Sequence, residues 1–238
     1  MEKPSQIAIS LSQPAVVGTV HSEASLTAAQ HIGKGKCDWL ELRVDNFFPK
    51  TIALRKAAVK LKLPRIVTVR HASEGGAATG ITAQDRRALY GEFLEVAGMV
   101  DIELRREKEM RGLIREAREA GVKVILSHHD FQRTPSPERL RELSRKAREA
   151  GADVFKVATM TGGALDLAML VEFLANEKAN EKGAVAVMGM GAFGKVSRLV
   201  LAQAGSCLNY GYLGKPNASG QWPVELLKAR IAELEEPV

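Results

Sequence analysis

The chain has 238 residues, 45% hydrophobic and 26% charged, with a formal net charge of +6. That is long enough for a sizeable core and too apolar for a disordered chain. Its basic residues mostly alternate with Glu, as in EKEMRGLIREAREA and ERLRELSRKAREA, a pattern of solvated helix faces rather than of a nucleic-acid groove. Cys37 and Cys207 supply neither a secreted disulfide framework nor a four-ligand zinc site. No apolar run reaches membrane-spanning length, and MEKPSQIAIS leaves no room for a signal peptide. The expectation is a cytoplasmic protein with no nucleic-acid or membrane partner.

In chain order, short β-branched or apolar runs alternate with amphipathic ones. The first strand is predicted at 6–10 (QIAIS), ending on Ser10, before a helix at 23–32. Strands at 38–44 (DWLELRV), 65–70 (RIVTVR) and 99–104 (MVDIEL) precede helices at 51–62, 82–97 and 106–120. Strands at 122–129 (VKVILSHH) and 153–158 (DVFKVA) precede helices at 137–150 and 163–178. The last two units pair 184–190 (AVAVMGM) with 194–204, and 206–210 (SCLNY) with 223–235. Ser136-Pro137 offers an N-cap and a proline at the first helical position. The pentapeptide AREAG, at 117–121 and 147–151, marks the same helix-to-strand corner twice, with Gly121 and Gly151 as stops. Eight such units predict one (β/α)8 TIM barrel over 1–238. A doubly wound open sheet is the main alternative.

Strand parity favours the barrel. Leu40, Leu42 and Val44 oppose Trp39, Glu41 and Arg43; Val67 and Val69 oppose Thr68 and Arg70; Val100, Ile102 and Leu104 oppose Asp101 and Glu103. Val124 and Leu126 oppose Ser127 and His129, and Phe155 and Val157 oppose Lys156. An open sheet covered on both sides requires two apolar faces, whereas a barrel packs one face under helices and points polar strand ends into its mouth. The expected mouth residues are Ser10, Glu41, Arg43, Arg70, Glu103, His129, Lys156 and Met190. Both signs of charge occur among them, so a mutually neutralising cluster is feasible, and Asp101 and Glu103 read equally well as structural.

Lys156 is the strongest signal. Its neighbours Val154, Phe155, Val157 and Ala158 leave a long cation little water. Burial and nearby cations would free its amine to attack a carbonyl and form a Schiff base. His129 is expected beside it, on the next strand at the same height, as a proton carrier. Glu74, in the glycine-containing loop HASEGGAATG, could orient His129, and the loop could close over a substrate. In the later loop LGKPNASGQW, Gln221 could hydrogen-bond a ligand hydroxyl.

Within AVAVMGM and the following helix, GMGAFG (189–194) matches the spacing of a dinucleotide turn. That reading needs an acid about twenty residues later, and none lies between Lys182 and Glu225. What survives is an anion cradle: glycines at a strand end, a helix N-terminus, and Arg198 one turn in.

ELRVD (41–45), TVRHASEGG (68–76), SHHDF (127–131), FKVATM (155–160), MGMGAFGKVSR (188–198) and ASGQ (218–221) follow in that order. Jointly they resemble type I 3-dehydroquinate dehydratase, the Schiff-base family of the shikimate pathway. The resemblance implies a cofactor-free, metal-free, usually dimeric (β/α)8 lyase that dehydrates 3-dehydroquinate to 3-dehydroshikimate. It implies that Lys156 forms an iminium with the C3 ketone, that His129 is general base and acid, and that Glu74 positions His129. Glu41, Arg43, Arg70 and Gln221 would hold hydroxyls and ring, with Ser10 a further contact. Arg198 would bind the carboxylate, and Phe131, Met188 and Met190 would pack the ring. The family commonly has serine four residues before the glutamine; here that residue is Asn217, so Asn217 or Ser219 would make the contact. Other readings of barrel plus lysine are an aldolase of the Schiff-base class or a non-catalytic ligand-binding barrel. GMGAFG by itself suggests a nicotinamide oxidoreductase.

Overall fold

The computed structural model describes residues 11, 13–180 and 183–235. Strand and helix alternate throughout: β1 (Ala15–Val20), α1 (Glu23–His31), β2 (Trp39–Arg43), α2 (Thr51–Ala58), β3 (Arg65–Thr68) and α3 (Ala83–Phe93) form the first units. They continue with β4 (Met99–Glu103), α4 (Arg111–Glu119), β5 (Lys123–Asp130), α5 (Pro137–Glu149), β6 (Val154–Met160) and α6 (Ala164–Ala179). The chain then adds β7 (Ala184–Met190), α7 (Gly194–Gln203), β8 (Leu208–Tyr212) and α8 (Val224–Glu235).

All paired strands are parallel, in the order β7-β6-β5-β4-β3-β2-β1-β8, so the sheet curls into a nearly closed (β/α)8 barrel. β7 and β8 form no regular ladder. Instead the N–H of Cys207 donates to the Val185 carbonyl at 2.9 Å. The Ser206 hydroxyl accepts from the Val187 N–H at 2.9 Å and faces its carbonyl at 3.2 Å. A serine side chain thus fastens the lower seam where backbone pairing is lacking.

Parity divides the core in two. Outward residues such as Leu42, Val67, Ile102, Leu126, Phe155 and Val187 pack against Leu54, Leu89, Leu113, Leu140, Phe173 and Leu201 of the helices. Burying each such side chain is worth about 1.5–3 kcal/mol. Inward residues Val17, Trp39, Ile66, Met99, Ile125, Val154 and Leu208 plug the lower barrel. Above that plug the inward positions become polar, which places the site at the strands' C-terminal ends.

The expected helix signals appear. Ser136 accepts from the Arg139 N–H with Pro137 in the first turn, and Gly121 and Gly151 take positive φ (75° and 91°) just past α4 and α5. The first strand differs from expectation. It is AVVGTV at 15–20, whereas 6–10 and Ser10 lie outside the described residues. The run escapes a sequence reading because only His21 separates it from Ser22, whose hydroxyl caps α1 in a reciprocal capping box with Ser25. α4 begins at Arg111, not 106, because a 3-10 turn at 104–106 occupies the strand exit.

Candidate active site at the barrel mouth

Lys156 lies inside the barrel and is 4% exposed. Its Nζ donates to Asp101 Oδ2 at 2.8 Å, faces Glu41 Oε1 at 3.5 Å and sits 3.9 Å from the centre of the Tyr210 ring. The groups in contact with the amine are carboxylates and an aromatic face, and the expected cation, Arg70, shares Asp101 Oδ2 with it rather than touching it. Parity alone could not distinguish these cases, because strand neighbours are set by register.

Asp101 is the hub. It also accepts from Arg70 Nη2 at 2.9 Å and from the Ser127 hydroxyl at 2.6 Å, and Ser127 in turn accepts from Arg70 Nη1 at 2.7 Å. Burial alone would raise its proton affinity, but Arg70 and Lys156 outweigh burial and hold the carboxyl far below the ordinary range. Burial likewise opposes the charge on Arg70, while Asp101, Glu103 and Glu41 more than restore it. Glu103 reaches Arg70 at 3.5 Å and pairs with Arg86 of α3, so it supports the mouth from behind. Glu41 accepts from Thr68 Oγ1 at 3.0 Å. Four cations (Arg43, Arg70, Arg86, Lys156) thus meet four carboxylates (Glu41, Asp45, Asp101, Glu103), the neutralising cluster the sequence allowed.

Above Lys156 sits the His129–Glu74 pair. Register aligns Lys156 with Ser127 and His129 with Ala158. The histidine therefore stands two residues further along its strand, correcting the expectation of equal height. Glu74 Oε2 accepts from the His129 backbone N–H at 3.2 Å and faces Nδ1 at 2.9 Å. An oxygen already accepting one N–H is best served by a second donor, so the proton is assigned to Nδ1, which leaves Nε2 bare. Burial, then Arg70 and Lys156, push the imidazole well below its usual pKa. Burial pushes Glu74 up to about 7. The ring is thus neutral at neutral pH, with a lone pair to use as a base.

The loop carrying Glu74 is built by ELRVD. Arg43 forms a two-point pair with Asp45 at 3.0 and 2.8 Å and donates to the Gly75 carbonyl at 3.0 Å. Asp45 also accepts from the backbone N–H groups of Arg70 and Ala77. At Gly75, φ is +83°, and a Cβ there would stand 3.2 Å from the Phe131 ring, so the turn favours glycine. Phe131 is 47% exposed and stacks on His129 at 6.2 Å between ring centres, roofing the pair.

Across the mouth, Arg198 is 2% exposed, and its partners among the described residues are all carbonyls. Nε donates to Tyr210 O, and Nη1 to the oxygens of Gly189, Gly194 and Gly220, at 2.6–2.9 Å. It therefore bridges β7, β8 and both loops above the seam. Nη2 donates to none of the described residues. With no carboxylate beside it among the described residues, burial pulls Arg198 down to about 10. The loops above it touch closely: a Cβ on Gly194 would stand 2.7 Å from Gly220 Cα. Ser219 accepts from the Gly191 N–H at 3.1 Å, and Gln221 Oε1 accepts from the N–H groups of Asn217 and Ala218. Ser219 and the Gln221 carbonyl thus lock the loops, and the Gln221 NH₂ donates to none of the described residues. Met188 and Met190 are buried inward on β7.

The structure brings together Glu41, Arg70, Glu74, His129 and Lys156, with Arg43 and Phe131 at the rim and Met188, Met190, Arg198, Ser219 and Gln221 opposite. The sequence reading missed Asp101 as the partner of Lys156, Asp45 as the loop organiser and Tyr210 as a platform. Thr19 was also missed; it is inward on β1 in register with Glu41. The inward parity of Asp101 was visible, but its selection over Glu103 was not.

The model of the family described as type I 3-dehydroquinase matches residues 15–235. The chain is 33% identical to 3-dehydroquinate dehydratase of Methanococcoides burtonii, over 94% of this chain and 95% of that protein. It is 36% identical to that of Methanocaldococcus jannaschii, over 80% and 84%. Among solved structures, 3-dehydroquinate dehydratase from Geobacillus kaustophilus superimposes with a TM-score of 0.85 at 25% identity, covering 94% of this chain and 91% of that one.

Proposed function

The chain belongs to the type I 3-dehydroquinase family, and we propose that it converts 3-dehydroquinate to 3-dehydroshikimate and water through a Schiff base on Lys156. The observation that carries this reading is a buried inward lysine beneath a neutral histidine whose Nε2 is bare. The α-proton of a β-hydroxy ketone is too weakly acidic for imidazole to remove unaided. Attack of the Lys156 amine on the C3 ketone, with loss of water, creates a cationic imine that withdraws electrons from C2. His129 then takes the C2 proton to give an enamine. The enamine pushes out the C1 hydroxyl, to which the imidazolium returns that proton as water leaves. Hydrolysis of the imine restores the ketone and the amine.

The nitrogen is cationic as resting ammonium and again as iminium, so Asp101 and the Tyr210 face match both of those states without reorganising. Asp101 is too weak a base to take the proton the amine must shed before attack, so proton handling falls to His129, oriented by Glu74. Arg198, with Nη2 unengaged and no carboxylate partner, suits the substrate carboxylate. The Gln221 NH₂, Arg43 and Glu41 are placed for ring hydroxyls, and Met188 and Met190 for the ring. The reading extends to a one-domain, homodimeric enzyme of aromatic amino-acid biosynthesis, as in the family it resembles.

Incubation with 3-dehydroquinate and borohydride, followed by mass analysis of peptides, tests the mechanism. A stable adduct on Lys156 is expected, absent from Lys156→Ala together with about 10⁴-fold or more of the turnover. Turnover without any trapped adduct would refute the Schiff base.

A further inference from the structure

Outside the barrel, a groove of about 680 Å³ opens between the β4–α4 loop, α4 and α5. Its floor is apolar, formed by the buried Leu104 and Leu143. Its walls carry Arg105, Lys108 and Arg111 on one side and Arg139 and Lys146 on the other. Of the nearby acids, Glu142 pairs with Arg139 and Lys146, Glu149 with Arg145, Glu109 with Arg106, and Glu116 with Arg87. Glu107, which also lines the groove, has no ion pair among the described residues, so five lining cations face two lining acids, Glu107 and Glu149. Lys108 and Arg111 are left without an ion pair among the described residues.

At the head of the groove, β5 turns His128 outward. The ring is 6% exposed, neither nitrogen hydrogen-bonds a described residue, and Nδ1 is sealed from water. A bare buried acceptor is tolerated better than a buried N–H without a partner, so the proton belongs on Nε2. The groove is where that N–H meets an acceptor. An unpartnered ring N–H, unpaired cations and an apolar floor converge on one cavity. The mechanism uses none of them.

We propose that this groove is a second anion site, for a compact phosphorylated or multiply carboxylated molecule. Its negative groups take Lys108, Arg111 and the His128 N–H, and its carbon skeleton lies on Leu104 and Leu143. Arg105 links the groove to the mouth: it lines the wall, and its Nε stands 3.9 Å from Glu74 Oε1. An anion that draws on Arg105 removes positive charge from beside Glu74, so occupancy alters turnover. That coupling rests on the proposed function; the binding does not.

Calorimetric titration of the full chain with inorganic pyrophosphate at low salt tests the site. Expected is one site per chain with a Kd below about 1 mM. The Lys108→Glu/Arg111→Glu double variant should bind about tenfold or more weakly while its turnover without pyrophosphate is unchanged. The histidine NMR signals of His128 should shift on addition. Three outcomes would overturn the proposal. The first is no binding up to about 10 mM. The second is binding indifferent to the double variant, or abolished by Arg198→Ala and competitive with substrate, which would place the anion in the mouth. The third is a groove closed by a second copy of the chain, seen as a dimer that the double variant dissociates.

Discussion

Two buried arginines lie on opposite sides of the barrel, and their surroundings differ in kind. Arg70 lies among Asp101, Glu103 and Ser127, and its charge is fully answered. Arg198 lies among carbonyl oxygens of Gly189, Gly194, Tyr210 and Gly220, and no carboxylate of the described residues answers it. The β3–β6 sector is therefore closed electrostatically and serves to fix Lys156. The β7–β8 sector carries a positive charge with no counter-ion among the described residues, which suits the proposed carboxylate contact. One sector is preorganised by ion pairs, which are costly to break once buried. The other is preorganised by backbone dipoles, which leave net charge available to a ligand.

Breaking the closed sector should have the largest effect on the fold. Asp101→Asn leaves Lys156 and Arg70 short of their shared counter-charge, and a loss of about 3–5 kcal/mol in urea unfolding is expected. A variant as stable as the parent would show that the cluster contributes no net stability. Arg198→Ala should act twice. Four carbonyls over the seam lose their donor, at a cost of about 2–4 kcal/mol, and KM should rise about tenfold or more with a smaller change in kcat. Arg198→Lys, which keeps the charge but loses the fork, separates the two effects. It should recover much of KM and little of the stability.

Glu74 sharpens the comparison by pH. Because burial lifts its pKa to about 7, the folded chain retains a proton that the unfolded chain releases as pH rises from about 4.5 to about 7. The parent should therefore lose about 2–3 kcal/mol relative to Glu74→Gln across that window, in thermal melts at a series of pH values. His129 contributes with the opposite sign, since its lowered pKa withdraws stability as pH falls below its ordinary value. In the same variant kcat should fall about 10–100-fold as His129 loses its orienting carboxylate. Ser206→Ala should have the smallest effect. Removing the lower clasp of the β7–β8 seam should cost about 1–2 kcal/mol and a few degrees of Tm, with kinetics unchanged.

The legible part of this molecule was its alternation. Seven of the eight strands fall where apolar runs predict them, and inward parity found Glu41, Arg70, His129 and Lys156. The first strand was misplaced because AVVGTV runs almost directly into a helix cap. The glycine turn of GMGAFG opening onto a helix was legible too. The fastening role of Arg198 was not, since its four acceptors are spread from Gly189 to Gly220.

By itself, the sequence determined which residues face the barrel interior and that they end in charge, because side-chain direction in a strand follows a period of two and needs no partner. It also supplied the lysine, the histidine and the glycines that let two loops meet. Tertiary structure alone decided that Asp101 rather than a cation holds Lys156, and that His129 stands two residues beyond it. It also left Arg198 without a counter-ion among the described residues. Those outcomes depend on strand register and on which loops cross above the seam, and both are settled by packing between segments far apart in the chain.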